Sequence, residues 1–459
     1  MPHRKLARRR GPDPARALAY RVLREVSEGA YANLALGQAL ADARLDARDA
    51  AFVTELVAGT CRLAGTYDRV LAAASGRDVT RLQPALLDVL RLGTHQLLSM
   101  RVPAHAAVGA GVELAAAEVG EKVAGLTNAV LRKVAARPLD AWLAALSAGE
   151  DAVGALALRT HHPRWIAEEY VRLLGDEAEE ALAANNVSPV PTLVVRPGLA
   201  DLSELGGEPT RWSPFGARRP GNPADVDAVR QGRAGVQDEG SQLVALALAE
   251  ASGGEGPADA DAPGAAPWLD LCAGPGGKAA LLAGLAADGG RRLVASEVAE
   301  HRARLVAQAL RAYSGDHAPA VLCADGTAPP WREASFARVM ADVPCTGLGA
   351  LRRRPEARWR RRPGDVDDLV PLQRSLLASA LDAAAPGGVV AYVTCSPHHR
   401  ETTEVVGAVL QASGRSVTPL APASPLPPDA LLAGGPFVQL WPHRHATDAM
   451  FLALLRVDN

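Results

Sequence analysis

At 459 residues the chain has room for about three domains, each able to bury its own core, and a formal net charge of −2 gives it no overall attraction to a polyanion. Five cysteines, an odd number with no CxxC spacing, indicate neither a disulfide framework nor a structural zinc site and suit a reducing cytosol. No apolar stretch reaches 18 residues and no apolar core follows the basic first residues, so neither a membrane span nor an export signal is expected.

Charge is local instead. Arg4, Lys5, Arg8, Arg9 and Arg10 make residues 1–13 a basic tail, the footprint of a phosphate backbone. Residues 14–137 read as helices. Apolar side chains recur at helical spacing in Ala17, Leu18, Val22, Leu23 and Val26, in Phe52, Leu56, Val57 and Leu63, and in Leu82, Leu86, Leu90 and Leu97. The pattern predicts a compact bundle with an aliphatic core. Residues 138–235 read as a mixed α+β connecting region, with a helix just after Pro163 and a strand at 192–196 closed by Pro197-Gly198.

Residues 236–459 form the third region. Its stretch 251–267, rich in Gly, Ala, Pro and Asp, reads as a flexible surface insertion. Apolar strands at 268–272, 292–296, 319–323, 337–342 and 388–394 then alternate with helical runs starting near 278, 299, 371 and 400. That order predicts a Rossmann-like α/β domain with a parallel sheet covered on both faces. Residues 416–435 read as a proline-rich loop before two last strands near 437–441 and 449–457.

The chemistry is concentrated in this region. Gly274-Pro275-Gly276-Gly277 follows a strand and precedes a helix, so its glycines allow close backbone approach to a ligand at a helix N-terminus. Glu297 ends the second strand, Asp325 follows the third and Asp342 ends the fourth. Acids at successive carboxyl ends line the crevice where open α/β sheets bind ligands, and Glu297 is placed to accept ribose hydroxyls. The loop is neither G-x-G-x-x-G nor a P-loop, which favours S-adenosylmethionine over NAD or ATP.

Two cysteines follow strand ends: Cys345 in Asp342-Val343-Pro344-Cys345 and Cys395 in Thr394-Cys395-Ser396. Carbon 5 of cytosine is too weak a nucleophile to take a methyl group unaided. A thiolate adding at carbon 6 makes carbon 5 enamine-like, and loss of the carbon-5 proton later expels the thiol. A free thiol is about 3% ionised at pH 7, and lowering its pKa also lowers its nucleophilicity, so rigid positioning matters more than ionisation. Cys61, Cys323 and the side chain of Cys272 read as small core hydrophobes.

Between these cysteines, Arg352, Arg353, Arg354, Arg358 and Trp359 lie in a run of seven arginines, read as an RNA-backbone contact. The pairs His161-His162, His398-His399 and His443/His445 read as surface histidines, since no third convergent metal ligand is evident. No metal is expected.

At these residues the chain resembles the bacterial 16S ribosomal RNA cytosine-5 methyltransferases of the RsmB (Sun/Fmu) type, within the wider Nol–Nop–Sun family. Asp270 to Lys278 resembles that family's D-x-C-A-A-P-G-G-K-T, with Gly274 and Ala279 departing from it. Asp342 to Gly349 matches D-x-P-C-S/T-G-x-G, Thr394-Cys395-Ser396 matches T-C-S, and Gln237 to Gln242 matches Q-D-x-x-S-Q. Arg353-x-Pro355-Glu356-x-Arg358-Trp359 and Thr447 to Phe451 are similar to two further segments, and residues 14–137 are similar to the NusB RNA-binding fold.

The resemblance implies that Cys272, Ala273, Gly274, Pro275, Gly276, Gly277, Lys278, Glu297, Asp325 and Asp342 hold S-adenosylmethionine. It also implies that Cys395 is the nucleophile, Cys345 assists product release, and Asp342 hydrogen-bonds the pyrimidine. After T-C-S the family carries paired acids and Asn; here His398-His399-Arg400-Glu401-Thr402 follows, and only Glu401 keeps that character. The expectation is a cytoplasmic enzyme methylating carbon 5 of a cytosine in 16S rRNA. The alternatives are the same chemistry on tRNA or another RNA, and a non-catalytic NusB-like RNA-binding factor.

Overall fold

The computed structural model describes residues 11–43, 45–253, 266–422 and 426–458. Residues 1–10 of the basic tail and 254–265 of the anticipated insertion lie outside them. The chain divides into two compact units: Met1–Val187 with Leu351–Arg361, and Ser188–Ala350 with Arg362–Asn459. The connecting region read at 138–235 is thus divided at Val187. Its helices before Val187 join the first unit, and its strands, with one short helix, the second.

The first unit is helical: α1 (Pro14–Ser27), α2 (Ala32–Asp42), α3 (Ala47–Ser75), α4 (Pro84–Leu98), α5 (Ala104–Glu118), α6 (Ala124–Val134), α7 (Leu139–Ser147), α8 (Ala152–Arg159), α9 (Arg164–Leu174) and α10 (Ala178–Ala184). Local signals set the ends. Asp13 caps α1 by accepting the Arg16 N–H, with Pro14 at the first helical position. Asp46 caps the 29-residue α3, which Gly76 closes at φ 70°. The core is aliphatic as the spacing requires, with Leu23, Val53, Leu56, Val57 and Leu92 in one cluster and Leu71, Leu90, Leu131 and Trp142 in another.

The second unit opens with an antiparallel sheet of β1 (Thr192–Val195), β2 (Glu208–Pro209), β3 (Gly216–Arg218) and, after α11 (Asp227–Arg230), β4 (Ala234–Val236), in order β2-β3-β1-β4. The larger domain follows: α12 (Glu239–Ala249), β5 (Trp268–Asp270), α13 (Gly277–Asp288), β6 (Leu293–Glu297), α14 (Glu300–Leu310), β7 (Ala320–Cys323) and β8 (Phe336–Asp342). The short α15 (Ala357–Arg360) belongs to the helical unit. The chain returns through α16 (Pro363–Ala383), β9 (Ala384–Thr394), α17 (Thr403–Ala412), β10 (Val417–Leu420), β11 (Val438–Gln439), α18 (Pro442–His445) and β12 (Phe451–Val457).

The sheet runs β10-β12-β9-β8-β5-β6-β7, with β11 beside β12. Strands β5 to β9 are parallel, while β10, β11 and β12 pair antiparallel. Two readings need correction. Residues 417–420 form a strand and not a loop; Pro419 is tolerated because β10 is at the sheet edge. The helix expected near 371 begins at Pro363 and carries Pro371 inside it. No described helix is long and apolar enough to cross a membrane.

Candidate active site

Parallel pairing of β5 to β8 brings four acids to adjacent strand carboxyl ends: Asp270 at β5, Glu297 at β6, Asp325 just after β7 and Asp342 at β8. Sequence reading singled out the last three. Asp270, hidden inside the glycine motif, is the most buried of the four, and neither carboxyl oxygen has a hydrogen-bond partner. Burial, and then the charge of Asp342, push its pKa up to about 7.

The loop after β5 is tied down on both sides. Ala273 N–H donates to the Ser296 carbonyl at 2.8 Å, and Gly276 N–H to the Ala273 carbonyl at 2.7 Å. The buried Glu297 carboxylate accepts the N–H groups of Gly274 and Ala299, each at 3.1 Å, and Arg302 donates to the Gly274 carbonyl at 2.6 Å. Gly274 stands where the family pattern has Ala, and a Cβ there would overlap the Glu297 carboxylate. The departure therefore lets Glu297 fold back onto the loop. Asp325 is exposed and accepts from the N–H and hydroxyl of Thr327, which hold its carboxyl below the usual range.

Lys278, in the first turn of α13, donates to Asp342 Oδ2 at 2.8 Å and reaches Ser241 Oγ at 3.4 Å. Burial opposes its charge, yet the charge of Asp342 and its hydrogen bond outweigh that and raise the ammonium pKa. Negative charge at Cys395 adds to this. The attraction is mutual, so Lys278 favours the Cys395 thiolate.

The two thiols meet: Cys345 Sγ lies 3.5 Å from Cys395 Sγ. Their loops leave β8 and β9, neighbours in the sheet. The Cys345 thiol is pushed well above the usual range, first by its hydrogen bond to Cys395, then by burial, with Glu401 and Asp342 adding repulsion. Cys345 is thus a thiol that keeps its proton.

Glu401 joins the two loops. Fully buried, it accepts from Thr346 N–H at 2.8 Å and Gln373 Nε2 at 3.0 Å on one oxygen, and from Ser396 Oγ at 2.7 Å and the Thr346 hydroxyl on the other. Gln373 also donates to the Pro344 carbonyl, and Tyr392 to the Glu401 carbonyl. Gly349 N–H donates to the Cys395 carbonyl at 2.8 Å, and a Cβ on Gly349 would overlap the Ala449 carbonyl oxygen. Gln373 is a site residue that sequence reading missed. Its partners are 28 or more residues away, and nothing local announces them.

The arginine run needs a correction. Arg358 is fully buried in the helical unit and donates to the His161 carbonyl, Asn186 Oδ1 and the Asn185 carbonyl at 3.0, 2.6 and 3.1 Å. Trp359 Nε1 donates to the Arg62 carbonyl at 3.1 Å, and Arg352 is buried. Of the five proposed contacts, Arg353 is exposed and Arg354 and Trp359 are half-buried, Arg354 lying 4.9 Å from the Tyr31 ring centre. The histidine reading also fails in part, because His162, His398 and His445 are buried. Cys61 is buried as expected, whereas Cys323 is exposed.

The class that this fold and crevice define is the Rossmann-like methyltransferase. Residues 259–456 match the family model of the 16S rRNA methyltransferase RsmB/F, and residues 13–136 match the NusB family. Rv1407 of Mycobacterium tuberculosis is 49% identical over 98% of each chain. The ribosomal RNA small subunit methyltransferase B of Xanthomonas campestris is 31% identical over 89% of each, and that of Pseudomonas putida 32% over 80% of this chain and 82% of its own. The fold matches the crystal structure of PH0851 at a TM-score of 0.80, with 23% identity, over 96% of this chain and 99% of that one. NSun6 from Pyrococcus horikoshii, solved with SFG, aligns at 0.54, with 15% identity, over 65% of this chain and 98% of its own.

The chain belongs to the RsmB/F family of ribosomal RNA methyltransferases and carries the NusB helical domain. It is an S-adenosylmethionine-dependent enzyme with RNA as substrate. The crevice suits that cofactor: a cationic ligand meets an acid rim, and the unpartnered oxygens of Asp270 can accept hydrogen bonds there.

Proposed function

We propose that the enzyme methylates carbon 5 of a cytosine in 16S rRNA through a covalent adduct of Cys395 with carbon 6. The observation that carries this is the 3.5 Å approach of Cys345 and Cys395, with the Lys278–Asp342 pair alongside. Cys272 to Lys278, Glu297, Asp325 and Asp342 would hold the cofactor. S-adenosylmethionine supplies the electrophilic methyl group.

The residues supply the rest. The Cys395 thiolate, favoured by Lys278, adds to carbon 6 while Asp342 hydrogen-bonds the ring, so the electron pair of the 5,6 double bond becomes available at carbon 5. Cys345 stays protonated during attack. Once carbon 5 carries methyl, Cys345 passes its proton to the departing Cys395 sulfur, 3.5 Å away, and its own sulfur takes the carbon-5 proton as the carbon–sulfur bond breaks. A thiol held above its usual pKa is a poor competing nucleophile and, once ionised, a strong base.

Bisulfite sequencing of total RNA from cells with and without the gene tests the assignment. One cytosine in 16S rRNA should lose protection in the deletion strain. Loss confined to tRNA, or no loss at all, contradicts it.

A further inference from the structure

The helical unit holds a cavity of about 240 Å³. Gly65, Gly154, Ala157, Leu158 and Pro163 give it small apolar walls. One wall is aromatic: the Trp359 ring, pinned through Nε1 to the Arg62 carbonyl, lies so close to Gly65 that no side chain fits there. Inside is His162, 4% exposed. Its Nδ1 lies 2.6 Å from the Thr160 carbonyl, which can only accept, so the ring proton sits on Nδ1. Burial and the charge of Arg358 keep the imidazole neutral. Nε2 is therefore a bare acceptor, and it is buried without a partner. Arg69 and Arg164, each 48% exposed, line the same cavity with Glu150; Arg69 pairs with Glu150 at 2.8 Å, and Arg164 with Asp151 and Glu168 at 2.6 and 2.7 Å.

A cavity with small apolar walls, one aromatic wall, one inward acceptor and ion-paired guanidinium groups at its edge has the chemistry of a nucleotide site. We propose that this cavity receives one unstacked nucleobase of the RNA substrate, its face against Trp359, a base N–H donating to His162 Nε2, and its phosphate exchanging with the carboxylates of Glu150 and Asp151 at Arg69 and Arg164. The inference rests on RNA being the substrate.

The test uses the full-length protein and a 16S rRNA transcript with 4-thiouridine incorporated at random. After irradiation, mass spectrometry locates the crosslinked peptides, and filter binding gives the affinity. Crosslinks are expected in the peptides carrying His162 or Trp359. His162→Phe, which removes the acceptor at similar size, should remove them and weaken binding roughly fivefold, whereas His162→Gln should keep both. If His162→Phe does not fold, Arg69→Gln combined with Arg164→Gln at the surface must reduce the same crosslinks and the affinity. RNA binding with crosslinks only elsewhere, or affinity indifferent to these changes, means the cavity holds water alone and overturns the proposal. Failure of the wild-type chain to bind any RNA would instead remove the substrate reading beneath it.

Discussion

Thr346 donates its backbone N–H to the buried Glu401 carboxylate at 2.8 Å, so the residue after one cysteine is held by a side chain six residues beyond the other. With Ser396 and Gln373 on the same carboxylate, Glu401 receives four donors. Glu401→Gln turns one acceptor oxygen into a donor facing two hydroxyls. Each buried donor left unmatched costs about 1–3 kcal/mol. The expected result is a lower melting temperature, with kcat falling at least tenfold while the affinity for RNA changes little. Unchanged kcat in a folded variant would show that the cysteines need no such lock.

Asp270 predicts a pH dependence. Its folded pKa, about 7, lies above its ordinary value of 3.8. The folded state thus binds more protons than the unfolded one between these values, and stability falls as pH rises through that window. The full penalty, of the order of 4 kcal/mol, is present above about pH 7. Asp270→Asn should flatten the loss of stability seen in urea melts of the cofactor-free protein from pH 5 to 8. A variant with the same slope as wild type would assign the dependence elsewhere.

Glu297 now bonds the Gly274 and Ala299 N–H groups. Ribose binding asks the carboxylate to share these oxygens with two hydroxyls. Glu297→Ala should weaken S-adenosylmethionine binding by about 1.5–3 kcal/mol, roughly ten- to hundredfold, in calorimetry. Gly274→Ala should do so too, by displacing the carboxylate. Equal affinities in folded variants would place the ribose elsewhere.

Arg358 is a fastener of the helical unit. Arg358→Ala strands three acceptors, Asn186 Oδ1 and the Asn185 and His161 carbonyls, and should cost about 3 kcal/mol in urea unfolding. If Arg358 met a phosphate instead, stability would hold and the salt dependence of RNA binding would drop by about one charge.

Legibility followed the range of the interactions. The glycine loop, the strand-end acids and the two cysteine motifs are local patterns set by the alternation of strands and helices, and the sheet brings them together. The bundle was legible from apolar spacing, whereas its caps Asp13 and Asp46 went unread. Charge misled at Arg358, because the carbonyls that bury a guanidinium are some 170 residues or more away in sequence. Pro419 hid β10 because an edge strand forgives a missing N–H. The joining role of Glu401 could not be read from His398 to Thr402 alone, since Thr346 and Gln373 lie elsewhere in the chain.

The central claim is the division of labour between two sulfurs 3.5 Å apart. Cys345→Ala and Cys395→Ala are each incubated with 16S rRNA and S-adenosylmethionine, then resolved on a denaturing gel. With Cys395 attacking and Cys345 releasing, Cys345→Ala accumulates a protein–RNA band that survives denaturation, and Cys395→Ala gives neither band nor methylation. A band formed by Cys395→Ala and absent from Cys345→Ala would reverse the roles.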